Sequence, residues 1–427
     1  MNARLVATLV AGLIVLLSCP AHGAGTVTPY FNATLDSNVM AIAVQSDLKV
    51  VIGGAFTQVG TTGRSYIARL TTTGALDTTF DPGTGADNGV NSIVIQADGK
   101  ILIGGAFQNY NTVARSRVAR LNADGSLDTT FDPGTGPNGT IQKLRLQSDG
   151  KVLIAGTFDT VGTTACANIA RLNSDGTLDT TFDTGLGPSA TVTDFQQQSD
   201  GKVVIVGYFT DVGTTSRGRV ARLNADGSLD TTFATGTAAD AYVTAIVPNG
   251  LGEFWIAGNF STYDGTNSRR VARISGTNGD LVRAVDAANG PTGVVHCLLP
   301  RNFGVIIGGA FPMVGTSTLP RLAFISSTGR VESSYAYGTG PNGNVLAIAL
   351  SEGGGSMYIG GAFTMVNTEP RTHIAQLNFP PSGGGGGGGG GSDDTGCSTS
   401  ASGHQFTFSG VFALTAVWFA LRRRRTV

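Results

Sequence analysis

Apolar positions between residues 24 and 379 come in short runs rich in β-branched residues, and no stretch shows a 3.6-residue period. One stretch shows the pattern best. Residues 90–96 read as a strand, Asp98-Gly99 as a tight turn, and 100–107 as a mostly apolar return. Such a return is expected of a strand covered on both faces. A polar loop then leads to a third strand over 117–121, Asp124-Gly125 turns the chain again, and 126–131 is expected as a fourth strand. Asp-Gly between β-forming runs predicts type I′ hairpins, whose two central residues both need positive φ.

The whole pattern repeats. Ile52-Gly53-Gly54-Ala55-Phe56 returns as Ile103-Gly104-Gly105-Ala106-Phe107 and again around Phe158, Phe209, Phe260, Phe311 and Phe363, at intervals of 51 residues and finally 52. Leu70, Leu121, Leu172, Leu223, Ile274, Ile325 and Leu377 keep the same beat, with Leu-Asp-Thr-Thr-Phe between them at 76–80, 127–131, 178–182 and 229–233. Four antiparallel strands in about 51 residues is the size of a propeller blade and not of a helical solenoid. The expectation is an all-β, seven-bladed β-propeller over residues 24–379. The last copy ends after its third strand, 373–377, and a spare fourth-strand equivalent, 30–35, precedes the first copy. Three strands from one end and one from the other would close the ring and leave no unpaired edge.

The recurring residues have structural readings. The Gly-Gly pairs would let the second strand approach a neighbouring blade, and the following phenylalanine would fill the core between blades. Arg69, Arg120, Arg171, Arg222 and Arg273 recur with Asp77, Asp128, Asp179 and Asp230, as one ion pair or hydrogen-bond bracket per blade would require. Asn122-x-Asp124-Gly125-x-x-Asp128 has a flavour of a calcium loop, but it lacks the spacing and terminal glutamate of a helix–loop–helix site. The turn itself accounts for its asparagine and aspartate.

Composition narrows the function. The formal charge is -1 and only 13 % of residues are charged, which gives no electrostatic reason for a nucleic-acid partner. Four cysteines in 427 residues are no disulfide framework, and the unequal offsets of Cys166 and Cys297 argue against their pairing. Four histidines leave little for acid–base or metal chemistry. No nucleophile elbow, zinc-protease helix or phosphate loop occurs, so neither metal nor cofactor is expected.

Both ends read as addresses. Residues 1–23 have the form of a secretory signal: Arg4, an apolar stretch over 5–17, then Ala21-His22-Gly23 before a cut between Gly23 and Ala24. A retained helix, or lipidation at Cys19, is the alternative. Residues 380–405 hold a glycine-rich spacer and Cys397, 406–421 are apolar, and 422–427 open with four arginines. Sixteen apolar residues make about 24 Å of helix, marginal for a bilayer core of about 30 Å. The three-part order resembles the C-terminal sorting tails of bacterial surface proteins, of the GlyGly type and the cysteine-containing type first described in myxobacteria. That resemblance implies membrane insertion through 406–421, with Cys397 near the processing point; a permanent single-span anchor is the alternative.

The modules themselves, Gly-Gly-x-Phe, then Arg-Leu-Asn-x-Asp-Gly-x-Leu-Asp, then x-x-Phe, resemble the delta-60 repeat, a bacterial β-propeller module of largely unassigned function. Kelch repeats share the Gly-Gly pair but carry regularly placed aromatics, and here the repeats hold one tryptophan, Trp255. The expected protein is a monomeric, exported and surface-tethered binding module for a surface protein or glycan, and not an enzyme. Contacts are expected where the copies differ, in loops gathered on one face: Tyr110, Arg115, Arg217, Tyr263, Asp264, Arg269, Arg270, Glu369, Arg371 and His373. A polysaccharide hydrolase or lyase, which an acidic channel would favour, and a purely structural spacer are the alternatives.

Overall fold

The computed structural model describes residues 25–379, apart from 287, 302, 333 and 334. The expected signal with Cys19, Gly23 and Ala24, and the expected tail with Cys397, lie outside the described residues. Within them, seven antiparallel sheets follow one another along the chain, six of three strands and one of four. In the second, Val90–Ile95 pairs with Ile101–Gly105, which pairs in turn with Val118–Leu121. The others repeat this order, from Val39–Val44, Val50–Gly54 and Ile67–Leu70 to Val345–Leu350, Ser356–Gly361 and Ile374–Asn378.

The middle strands are apolar on both faces because each is sandwiched. Val51 joins a buried core with Phe80 and with Val90 and Ile103 of the next sheet, whereas Val50 and Ile52 join Phe31, Tyr358 and Ile374 on the other side. A fully buried phenylalanine such as Phe107 stabilises by up to about 3 kcal/mol, so the repeated Phe is a principal source of cohesion between sheets. The first strand, Val39–Val44, lies against Val345–Leu350 as well as against Val90–Ile95.

Three details correct the sequence reading. The residues after the second Asp-Gly turn make only an isolated bridge, Leu121 to Leu127, and the one full fourth strand among the described residues is Leu281–Ala284 of the fifth sheet. Asp128 N–H still donates to Arg120 O, but Phe131 N–H then donates to Asp128 O and the chain turns out of the ladder. The Asp-Gly turns are not type I′. Only Gly99 and Gly125 have positive φ, and their N–H groups donate to the carbonyls of Gln96 and Asn122, the pattern of a three-residue hairpin with glycine in the left-handed position. At the N-terminus, residues 30–35 are not a strand. Val27 bridges Leu377, with Thr28 N–H donating to Gln376 O and Asn378 N–H to Thr26 O, while Phe31 is buried.

The expected Arg–Asp bracket is present in copies one to four, and it has a third member. In the second copy Arg120 Nε and Lys100 Nζ both donate to Asp128 Oδ2, at 2.6 and 2.9 Å. Asp128 Oδ1 accepts from Thr130 Oγ1 and N–H, and Arg120 lies 5.1 Å from the Phe131 ring centroid. Arg120 Nη1 also donates to Ser174 O in the following copy, so the bracket ties sheets together. Burial works against ionisation of Asp128, but bonds from Thr130, Lys100 and Arg120 outweigh it and hold the carboxyl well below the usual carboxylate range.

The drifting copies keep the logic with other residues. In the fifth, Glu253 stands where the lysine was and pairs with Arg273 at 3.0 Å. In the sixth, Phe324 replaces the arginine and stacks on Tyr335 with ring centroids 4.4 Å apart. In the seventh, Gln376 donates to Ser356 Oγ.

Candidate functional site

One face is built from the ends of the second strands, the starts of the first and third strands, and small two-residue hairpins between strands two and three, such as Asn109–Tyr110 with Val113–Ala114. The inter-sheet connections join this face, since Ala86 bridges Tyr110 and Pro137 bridges Val161. Each such hairpin therefore lies beside the connection that enters its own sheet.

Most of the residues singled out from the sequence are occupied within the fold. Tyr110 and Tyr263 are fully buried, and their hydroxyls donate to Gly125 O and Gly279 O at 2.7 Å. Burial raises both phenols, helped by Asp81 and Asp124 at Tyr110 and by Asp264 and Asp280 at Tyr263. Arg115 is buried, donates to Ala114 O and lies 3.6 Å from Asp132; Arg371, also buried, donates to Pro370 O. Arg217 donates to Ser216 O, and Arg269 N–H donates to Val285 O. Asp264 and Glu369 are exposed, with Asp264 Oδ1 accepting from Thr237 N–H.

Arg270 and His373 belong to a column that only the structure reveals. Tyr66, Arg117, Asn168, Arg219, Arg270, Arg321 and His373 sit at equivalent positions just before the third strand, all with φ between 65° and 69°. In the second copy Gly105 N–H donates to Arg117 O and Arg117 N–H donates to Phe107 O, which locks the left-handed turn. The side chains fold back onto carbonyls: Arg270 Nη1 donates to Asn259 O, and His373 Nδ1 lies 3.0 Å from Gly361 O.

One exposed feature of this face is a pair absent from the expectation. Tyr208 and Tyr242 stack with ring centroids 4.6 Å apart and an interplanar angle of 16°. Tyr208 follows the second strand of the fourth sheet, Val203–Gly207, and is 48 % exposed; Tyr242 precedes the first strand of the fifth. Equivalent positions elsewhere are small, such as Ala55, Ala106, Ala310 and Ala362 for Tyr208. At the preceding junction Thr157 and Thr191 stand in the same two places, their hydroxyl oxygens 2.9 Å apart. An aromatic surface bordered by hydroxyls results. Comparison of the copies could have found it: two tyrosines 34 residues apart fall at columns otherwise free of aromatics.

Two other clefts open elsewhere, one of about 360 Å³ beside Arg283, Asp286 and Arg330, and one of about 370 Å³ beside Leu48, Glu352 and Tyr358. Cys166 and Cys297 carry free thiols. The would-be calcium loop is a turn: Asp124 Oδ1 accepts from Ser126 N–H and Oγ, and Asn122 Nδ2 donates to Ser126 Oγ. No group of three His, Cys, Asp or Glu side chains placed to hold a metal ion occurs among the described residues.

Repeat and sheet packing together define a β-propeller. The family model described as a domain of unknown function (DUF5122) beta-propeller matches residues 45–80, 96–131, 147–182, 198–233 and 355–378. No curated protein matches the sequence. Among solved structures, the WD40 beta propeller domain of Doa1 is similar with a TM-score of 0.55 and 14 % identity, over 84 % of this chain and 98 % of that one. The Mitotic Checkpoint Complex contains a chain at TM-score 0.52 and 14 % identity, over 89 % and 99 % of the two chains. A catalytically inactive virginiamycin B lyase from Staphylococcus aureus, solved with quinupristin, matches at 0.50 and 14 % identity, over 81 % and 96 %. These likenesses share the fold alone.

Proposed function

We propose that the chain is an exported, surface-tethered and non-catalytic binding module, a seven-bladed ring that presents one face to a glycan or surface protein. What supports the ring is the core between the seventh and first sheets, together with the pairing of residues 26–28 with the last strand, a three-plus-one closure. What supports binding is the Tyr208–Tyr242 stack. Tyrosine offers a large, rigid, amphipathic contact surface at low entropic cost, and here the surface is on the outside, in one junction of the ring. Among the described residues, the first-strand positions facing the channel hold one carboxylate, Asp194, already bonded to Arg145, which gives the hydrolase or lyase reading no support.

The test is a glycan and surface-protein screen of the cell-displayed chain. With Tyr208→Ala and Tyr242→Ala together, affinity for a captured ligand should fall at least about tenfold. Unchanged binding would remove the tyrosine face from the account. Intact mass of the same preparation checks the tail: the processed protein should lack Arg422 to Arg425.

A further inference from the structure

The chain has five lysines, Lys49, Lys100, Lys143, Lys151 and Lys202. Four of them donate to the bracket aspartates. Lys143 is the exception. It lies in the innermost strand of the third sheet, immediately after the bulge that interrupts every first strand. Six other residues share that register: Ala41, Ser92, Asp194, Ala245, Cys297 and Ala347. First strands surround the central channel of a propeller, so these positions form a belt of mostly small side chains about one long cation.

The nearest opposite charge is not available to that cation. Asp194 Oδ1 accepts from Arg145 Nη2 at 2.9 Å and from Phe195 N–H, and its Oδ2 accepts from Ile246 N–H. Lys143 itself makes no hydrogen bond or ion pair among the described residues. Asp194 draws the Lys143 ammonium towards a higher pKa, but burial and the charge of Arg145 outweigh it, and the net shift is downward. The same ammonium feels the Cys297 thiol, which belongs to the sixth sheet. The third sheet packs on the second and fourth, and the sixth on the fifth and seventh, so Lys143 and Cys297 stand on opposite sides of the belt.

The bulge position, one residue earlier in each first strand, carries polar donors in five of the copies. At the bulge, Asn91, Thr193 and Thr244 satisfy themselves on carbonyls of the next sheet, Ile141, Val243 and Val295. Gln142 and His296 occupy the same register, half-buried, with no side-chain hydrogen bond among the described residues. Burial lowers the His296 pKa, which leaves a neutral ring with one N–H to give.

We propose that the channel is an anion site in which Lys143 takes a single carboxylate and Gln142 and His296 donate hydrogen bonds to it. Charge selects the class of ligand. Lys143, Arg145 and Asp194 sum to one positive charge, which a carboxylate neutralises and which a sulfate or phosphate dianion would overshoot beside Asp194. A sugar acid and the C-terminus of a peptide both carry that group. The site is separate from Tyr208 and Tyr242, so either proposal can fail without the other.

Reductive ¹³C-methylation of the full chain keeps the lysine charges and yields one resolved NMR environment per lysine, with Lys143→Arg assigning the signal. Glucuronate, alanyl-alanine, sulfate and neutral glucose are titrated at constant ionic strength. The Lys143 signal should shift saturably with one or both carboxylates and remain still with glucose, the tighter carboxylate naming the source. Lys143→Met should weaken that ligand at least about tenfold by calorimetry, while the four bracket lysines keep their shifts and so report an intact fold. A motionless Lys143 signal, tighter binding of sulfate than of either carboxylate, or full affinity in Lys143→Met would each overturn the site.

Discussion

Gly105→Ala should destabilise the chain by about 2–3 kcal/mol, and Gly104→Ala by less than about 1 kcal/mol, although the two residues are adjacent in the same Gly-Gly pair. A Cβ on Gly105 would collide with the carbonyl oxygen of Gly89, which the bond from Ala106 N–H holds in place. Backbone cannot yield cheaply. The same carbonyl collision awaits a Cβ at Gly54, Gly156, Gly207, Gly258, Gly309 and Gly361. A Cβ on Gly104 instead meets side-chain ends, Leu144 Cδ2 at 2.7 Å and Ile141 Cγ2 at 2.8 Å. Copies three, four and five already place Ala155, Val206 and Ala257 at that position. Urea unfolding followed by Trp255 fluorescence would separate the two. Equal losses would mean that the close approach to the next sheet governs both glycines.

Asp128→Ala should cost about 3 kcal/mol, because Arg120 and Lys100 are then left facing each other without their carboxylate. Neutral replacement of one partner is the costly change, whereas the Phe324–Tyr335 stack in the sixth copy shows the whole bracket exchanged for apolar contact. Acid should reproduce the loss in the native chain. Asp77, Asp128, Asp179 and Asp230 are all held below the ordinary carboxylate range: burial opposes ionisation, but bonds from threonine, lysine and arginine prevail. A depressed folded pKa contributes stability that is complete above the unfolded value of about 3.9 and disappears as pH falls towards the folded value. Urea midpoints should therefore hold steady down to about pH 5 and drop steeply below about pH 4. Asp128→Ala should drop less steeply than the parent. A flat acid profile would deny the brackets their share of the stability.

The period, the strand positions and the bracket were legible because each is repeated, and repetition averages out local drift. Lys100 escaped notice because it lies in a different strand from Arg120 and Asp128, and only the pairing of the first hairpin with the third strand brings the three together. Asp-Gly also serves a three-residue hairpin in which glycine alone turns left-handed, and the added residue, Ala97 or Ala123, carries no signal of its own. Difference between copies does not by itself mark the surface. At Tyr110 and Tyr263 the difference lies in the core, where valine stands in other copies such as Val161 and Val212. Arg270 and His373 share a left-handed position that arginine, asparagine, histidine and tyrosine all fill, so no residue type marked it. Tyr208 and Tyr242 are 34 residues apart, and their contact depends on which sheet follows which around the axis.

A crystallographic map of the chain would bear most directly on the ring. Seven sheets about one axis are predicted, with the backbone of residues 26–28 alongside 376–378 as the outer edge of the last sheet. A different number of sheets, or an N-terminal segment detached from Leu377, would contradict it.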